Sequence, residues 1–306
     1  MNISVALIIF KRPDLTKKVF ERIRQAKPKT LFVIADAPRP ERPEEVDLCT
    51  TTRAIIDSVD WTCEVVKNYA EINLGCRLRL ATGISWVFDQ VEDAIILEDD
   101  CLPHPSFFQF CQELLERYRD DERIMMISGT NYAGEWKSKL QSYHFSYYGG
   151  IWGWASWRRA WKYYDDSMHL WTDQHTKDLI RDLLCDKEQF EAREKLFDSV
   201  LKREIDTWDY VWSFARLSQS GLSIVPSINL VSNLGFGLDA THTTNSNSHL
   251  SRMKVNPLKF PLQHNNTLIA DRDYDRYLFR SLYNHKKVFR KILYKLTKLL
   301  ESNMPE

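Results

Sequence analysis

No glycine-rich phosphate loop occurs in the 306 residues: nothing matches GxGxxG, or GxxxxGK followed by Ser or Thr. A nucleotide bound here would therefore need a metal ion and isolated basic residues to hold its phosphates. An excess of one charge is also lacking. Lys plus Arg and Asp plus Glu each total 42, so no overall bias draws the chain to nucleic acid. The six cysteines (Cys49, Cys63, Cys76, Cys101, Cys111 and Cys185) contain neither a CxxC pair nor the regular spacing of a disulfide framework. They read as reduced packing residues. No basic n-region, long apolar stretch or small-residue cleavage site accompanies the apparent first strand. The expectation is a cytoplasmic protein without a membrane span.

What is present in the first half is one repeated pattern, a short apolar run that stops at polar residues and leads into an amphipathic segment. Ser4–Phe10, Leu31–Ala35, Cys63–Lys67, Ala94–Leu97 and Ile124–Ile127 are the predicted strands. Leu15, Val19, Phe20 and Ile23 share one helical face behind a start at Pro13 and Asp14. Phe107, Phe108, Cys111, Leu114, Leu115 and Tyr118 share another. Strands alternating with helices predict an α/β protein with a mostly parallel, doubly wound sheet. Residues 179–203 are charged with few aromatics, and predict a solvated amphipathic helix over the core.

The strand Ala94–Leu97 runs straight into Glu98-Asp99-Asp100, with Pro103 and Pro105 opening a new helix. This delivers three carboxylates to the carboxyl edge of the sheet, where open α/β folds bind ligands. Adjacent carboxylates repel unless solvated or neutralised, and a hard divalent cation carrying a substrate phosphate suits them. A solvated acidic loop is the alternative. Arg12 and Arg77 would supply the basic residues that a missing phosphate loop demands.

Two further stretches stand out. Residues 143–157 crowd aromatics and glycines together, and most of these rings predict core. Glycine beside tryptophan also lets backbone approach a ligand while flat rings stack on sugars, which makes Trp152 and Trp154 candidate acceptor residues. Asp206-Thr207-Trp208-Asp209 opens a predicted helix. Either aspartate suits helix capping. Alternatively Asp209, flanked by Trp208 and Trp212, lies in a partly dry wall where it accepts a proton from a hydroxyl. After the strand and glycine-containing loop at 225–237, His242 is a candidate late metal or phosphate ligand.

Together these pieces resemble the GT-A class of nucleotide-sugar glycosyltransferases, in particular the N-acetylglucosaminyltransferase I group and its bacterial relatives, over roughly residues 3–237. The resemblance implies a GT-A, Rossmann-like sheet. It places Arg12 near the nucleotide, Asp36 at the end of the second strand against the base, and Arg77, in Asn73-Leu74-Gly75-Cys76-Arg77, against phosphate or base. Glu98 would face the donor sugar, Asp99 the ribose and Asp100 a manganese ion, followed by a similar Pro105-Ser106-Phe107-Phe108 stretch. Ser128-Gly129-Thr130-Asn131 and residues 150–154 look like the family's post-strand loop and acceptor-side wall. The Trp-Asp catalytic pair would fall on Trp208-Asp209, while Tyr210 replaces the family's second Asp. Inverting transfer is implied, from a nucleotide-diphosphate donor (a UDP-sugar favoured) to a glycan or lipid-linked acceptor. Mn²⁺ enters from the family, and Mg²⁺ suits the same oxygen ligands.

The implied organisation is a catalytic domain over 1–245, split into a nucleotide half (1–130) and an acceptor half (131–245), with a C-terminal extension over 246–306. Within that extension residues 285–300 place Val288, Phe289, Ile292, Leu293, Leu296, Leu299 and Leu300 at helical spacing among Lys and Arg. Such a helix lies on an anionic membrane or docks on protein. The competing reading of the whole chain is a non-catalytic carbohydrate-binding or membrane-active protein. A pure binding module, however, needs neither the acidic triplet nor Trp208-Asp209.

Overall fold

The computed structural model describes residues 3–236, 250 and 253–282; His242 and the basic segment 285–300 lie outside them. The chain divides into two units, Met1–Ala270 and Asp271–Glu306. The first extends past the expected boundary at 245, because residues 256–265 are hydrogen-bonded into it. Asn256 N donates to Asn229 O at 3.1 Å, and Asn265 Nδ2 to Tyr143 O at 2.9 Å. In the second unit, residues 272–282 are helical. No helix of the described residues is long and apolar enough to cross a membrane.

The first half alternates as its sequence pattern requires: β1 Ser4–Ile9, α1 Pro13–Ala26, β2 Thr30–Ala35, α2 Glu45–Ala54, β3 Glu64–Tyr69, α3 Gly75–Phe88 and β4 Asp93–Glu98. There follow β5 Cys101–Pro103, α4 Ser106–Arg117, β6 Ile124–Ser128, β7 Tyr143–Ser146, β8 Trp154–Trp157 and α5 Arg158–Trp161. The remainder is α6 Gln174–Leu184, α7 Lys187–Leu201, α8 Asp209–Ser218, β9 Leu222–Pro226 and β10 Val231–Asn233. Eight strands form one sheet in the order β3-β2-β1-β4-β8-β6-β9-β7, while β5 and β10 form a separate antiparallel pair. Strands β1 to β4 pair in parallel, as do β6 and β9. Strand β8 runs antiparallel between β4 and β6, and β7 runs antiparallel to β9. The mostly parallel α/β sheet read from the sequence is therefore present.

Both faces of the central strands are covered, which explains their unbroken apolar runs. Val5, Leu7 and Ile9 belong to one core with Val19, Phe20 and Ile23 of α1 and Phe107 and Leu114 of α4. Ala6 and Ile8 belong to the other with Leu80 and Ile84 of α3 and Trp212 of α8.

Residues 179–203 are not one solvated helix. Cys185 takes a left-handed conformation (φ 47°), and the Asp186 carboxylate caps α7 by accepting from Gln189 N at 3.0 Å. A break made without glycine or proline leaves little trace in a charged sequence. These helices also bury Ile180, Leu184, Phe190 and Phe197 with Trp171 and Phe214 in a third core.

Glu45 of α2 is 1% exposed and ties down the sheet's carboxyl edge, accepting from Lys11 Nζ at 2.6 Å and Arg39 Nε at 3.1 Å. Arg39 first, and then Lys11, hold its carboxyl down at about 2 despite burial, which acts the other way. A depressed folded pKa contributes stability that is complete above the unfolded value and is lost as pH falls. The loss should fall between the model-peptide value of 4.5 and about 2. Glu45→Gln should accordingly lower the thermal midpoint at pH 7 and flatten its dependence on pH across that window, as read by scanning fluorimetry.

Candidate active site

In a doubly wound sheet the crevice for a ligand opens where neighbouring strands send their connections in opposite directions, outside the carboxyl ends. Here that point lies between β1 and β4. The chain leaves β1 toward β2 and β3 on one side, while β4 borders β8 on the other. Arg12 follows β1, and Glu98, Asp99 and Asp100 end β4, so the sheet order itself brings them together.

Arg12 spans the acids. Its Nη1 donates to Asp100 Oδ2 at 2.9 Å and its Nη2 to Asp99 Oδ1, while the Phe10 amide reaches Asp99 Oδ2 at 3.4 Å. Burial pulls the guanidinium pKa down, but Asp99 and Asp100 outweigh it, and Arg12 stays charged. Burial pushes Asp99 up to about 6 even against the Arg12 pairing. Glu98 is raised well above the ordinary carboxylate range by burial first, then by Asp100 and Asp99.

The small β5–β10 ribbon fixes Asp100 from the far side. The ribbon register pairs Asn233 with Cys101, and Leu234 N donates to Asp100 O at 2.8 Å. Gly235 then passes directly over the carboxylate, where a Cβ would run into Asp100 Oδ2 and lie 3.1 Å from Arg12 Nη1. The expectation that the acids lead straight into a helix thus missed a three-residue strand, which forms only because a distant segment pairs with it.

Asp209 reaches the same edge from the second half. Helix α8 begins with it, and β9 then returns parallel to β6. No side chain caps the helix at Trp208, Asp206 pairs with Arg77 Nε at 2.9 Å, and Asp209 lies in the first turn, where the helix dipole favours an acid. The Thr207 hydroxyl donates to Asp209 Oδ1. The Asp209 charge contributes, after burial and nearer charges, to the raised pKa values of Glu98, Cys76 and Tyr164, which sets Asp209 within electrostatic reach of each. The Cys76 thiol is pushed up to about 12, by burial first and then by Glu98, and is inert as a nucleophile.

Other expected residues are engaged elsewhere. Both oxygens of Asp36 accept backbone amides at the start of α3, from Leu74 at 2.9 Å, Gly75 at 2.9 Å and Ala37 at 2.9 Å. It pins the 73–75 loop to the end of β2. Arg77 is held between Asp166 (Nη1 to Oδ1, 3.0 Å) and Asp206. It braces the segment leading to Asp209. Trp154, expected at the acceptor, is 1% exposed, with its ring centroid 5.8 Å from Trp208, 6.0 Å from Trp161 and 6.0 Å from Trp212. It has no face for a ligand and props Trp208 instead. Trp152 differs. It sits between Tyr132 (5.3 Å) and Phe236 (5.6 Å), one residue beyond Gly235. Ser128-Gly129-Thr130-Asn131 forms a hydrogen-bonded knot beneath them: Thr130 Oγ1 donates to Trp152 O at 2.8 Å, and Asn131 Nδ2 to Pro226 O at 2.8 Å. Tyr132, Phe236, Gly235, Asp166 and Thr207 were missed. Of these only Gly235 left a signal, as part of a glycine-containing loop.

Among the described residues no three His, Cys, Asp or Glu side chains converge as a metal site. The described residues alone do not supply a full coordination shell. A hard cation held beside a diphosphate commonly takes one or two carboxylates, with phosphate and water oxygens completing the octahedron. Asp100 would be such a carboxylate once the cation replaced its present donors, Arg12 Nη1 at 2.9 Å on Oδ2 and Cys101 Sγ at 3.4 Å on Oδ1.

No protein-family model matches the chain, and no characterised protein is detectably similar in sequence. Among solved structures, S. aureus TarS 1-349 superposes with a TM-score of 0.42 at 10% identity, over 76% of this chain and 59% of that one. The chain thus spans less than two thirds of that protein's length. CMP:2-keto-3-deoxy-manno-octonic acid synthetase complexed with CTP gives 0.37 at 13% identity, covering 78% and 94%. A putative nucleotide-diphospho-sugar transferase from Desulfovibrio desulfuricans G20 gives 0.35 at 11%, covering 83% and 94%. At these scores none assigns an activity.

Proposed function

We propose that this chain is a metal-dependent, inverting glycosyltransferase of the GT-A type, which moves a sugar from a nucleotide-diphosphate donor, a UDP-sugar favoured, to a glycan or lipid-linked acceptor. The observation that carries the reading is the convergence of Arg12, Glu98, Asp99, Asp100 and Asp209 at the switch point of the sheet. An acidic cluster alone would bind a cation, and an aspartate alone would start a helix. The two together, from separate halves of the fold and at the same edge of the sheet, support a reading with a donor side and a base.

In this reading Asp100 holds Mn²⁺ or Mg²⁺, which when bound offsets the charge that grows on the departing nucleoside diphosphate. Asp99 takes the ribose and Glu98 the donor sugar. Arg12 keeps the acids paired in the free protein and is the nearest cation to any phosphate placed there. Asp209, with one oxygen oriented by Thr207, accepts the proton of an acceptor hydroxyl that attacks the face of the sugar opposite the nucleotide. Trp152, Tyr132 and Phe236 form the aromatic wall for the acceptor.

Calorimetric titration of UDP and GDP into the protein, with Mn²⁺ and with EDTA, tests this. One nucleotide should bind only with metal, and binding should be lost in Asp100→Ala. Gly235→Ala, which changes no charge but forces Asp100 to move, should weaken binding about tenfold, or 1.4 kcal/mol. Absence of binding under every metal condition would remove the donor site and favour the carbohydrate-binding alternative.

A further inference from the structure

Elsewhere in the molecule, helices α7 and α8 bury two arginines. Arg193 is 5% exposed and Arg216 2%. Among the described residues no carboxylate pairs with either. Arg193 Nη1 donates to Ser213 Oγ at 3.2 Å, with its guanidinium 4.4 Å over the Tyr148 ring. Arg216 Nη1 donates to Ser223 Oγ at 2.5 Å, with its guanidinium 6.0 Å from the Trp212 ring. The Nε of each is buried with no hydrogen-bond partner. The two groups also feel one another: burial lowers the pKa of Arg216 to about 9, and repulsion from Arg193 adds to the shift.

Guanidinium does not shed its proton readily, so burial is not relieved by neutralisation as it would be for lysine. A buried charge with no counter-charge beside it is strongly unfavourable, and two like charges close together more so. An anion between them would offset that cost. Gly149 marks how closely the backbone approaches this spot, since a Cβ there would lie 2.6 Å from Ser223 Oγ. Arg forks match the paired oxygens of an oxyanion better than a spherical halide, and two serine hydroxyls add directional donors.

We propose that Arg193 and Arg216, with Ser213 and Ser223, form an internal binding site for one small inorganic oxyanion of the phosphate class. The ion neutralises the contact between α7 and α8, and so steadies the helix whose first residue is Asp209.

The test is titration of inorganic phosphate into the full chain in phosphate-free buffer, with ionic strength held by NaCl. It is followed by calorimetry and thermal unfolding. Saturable binding of one phosphate per chain is expected, with a rise in midpoint. Binding should be at least tenfold weaker in Arg193→Gln and Arg216→Gln and unchanged in Asp100→Ala. Should either glutamine variant fail to fold, Ser213→Ala and Ser223→Ala replace them and should still weaken phosphate binding. No saturable binding to the wild type would overturn the site, as would retained affinity in the variants that fold. Loss of phosphate binding in Asp100→Ala would assign the ion to the donor crevice. A midpoint that rises with chloride alone would overturn the oxyanion class.

Discussion

Asp209→Asn should reduce turnover by about 10²–10⁴-fold, the range over which a positioned general base contributes. Donor binding should change little. The substitution keeps the shape of the side chain and the oxygen that accepts from Thr207, so α8 should start where it does now. What is lost is the charge, and with it, on the proposed mechanism, the capacity to take a proton from the acceptor hydroxyl. Three readouts separate this from a folding defect: the thermal midpoint, metal-dependent nucleotide affinity, and the initial rate of sugar transfer. A rate within a few-fold of wild type would place the base elsewhere. Asp209 also contributes to the raised pKa of Glu98, after burial, Asp100 and Asp99. Some tightening of metal or nucleotide binding lost in the variant would therefore be electrostatic, and the rate should fall far more than the affinity.

How much of this was legible in the chain depended on whether local residues or distant partners made the structure. β1, β2 and β4 are buried on both faces, and continuous apolar runs announce such strands. Their observed bounds, Ser4–Ile9, Thr30–Ala35 and Asp93–Glu98, differ from the expected ones by a residue or two at an end. The triplet at the end of β4 was visible because charge stops an apolar run. By contrast, β5 and β10 are three residues each and exist only through mutual pairing, while β8 is spelled Trp-Ala-Ser-Trp and has no strand-like alternation of apolar and polar residues. The carboxylate of Asp36 and the guanidinium of Arg77 had the right residue types at the right places along the chain. What the sequence could not display is that three backbone amides meet the first and two carboxylates the second. The buried arginine pair left no signal either. Arg193 and Arg216 sit 23 positions apart in helices that read as solvated or mixed, and only packing shows that both point inward.

The aromatic run at 143–157 separates into two kinds of tryptophan, and that division yields the largest expected loss of stability. Trp154→Ala should destabilise the protein by about 3–5 kcal/mol, the usual cost of truncating a fully buried aromatic. For a domain of this size the midpoint should fall on the order of 10 °C. The cavity would open against Trp161, Trp208 and Trp212, the rings now packed on it. Trp208 immediately precedes Asp209, so the same change should loosen the start of α8 and depress transfer even in the fraction that remains folded. Trp152→Ala removes a ring that is 9% exposed, between Tyr132 and Phe236. It should cost less stability and act mainly on acceptor use, raising the acceptor KM while nucleotide affinity holds. Unfolding curves for both variants, beside transfer rates at varied acceptor concentration, decide the matter. A larger loss of stability from Trp152→Ala than from Trp154→Ala would reverse the assignment of wall and support.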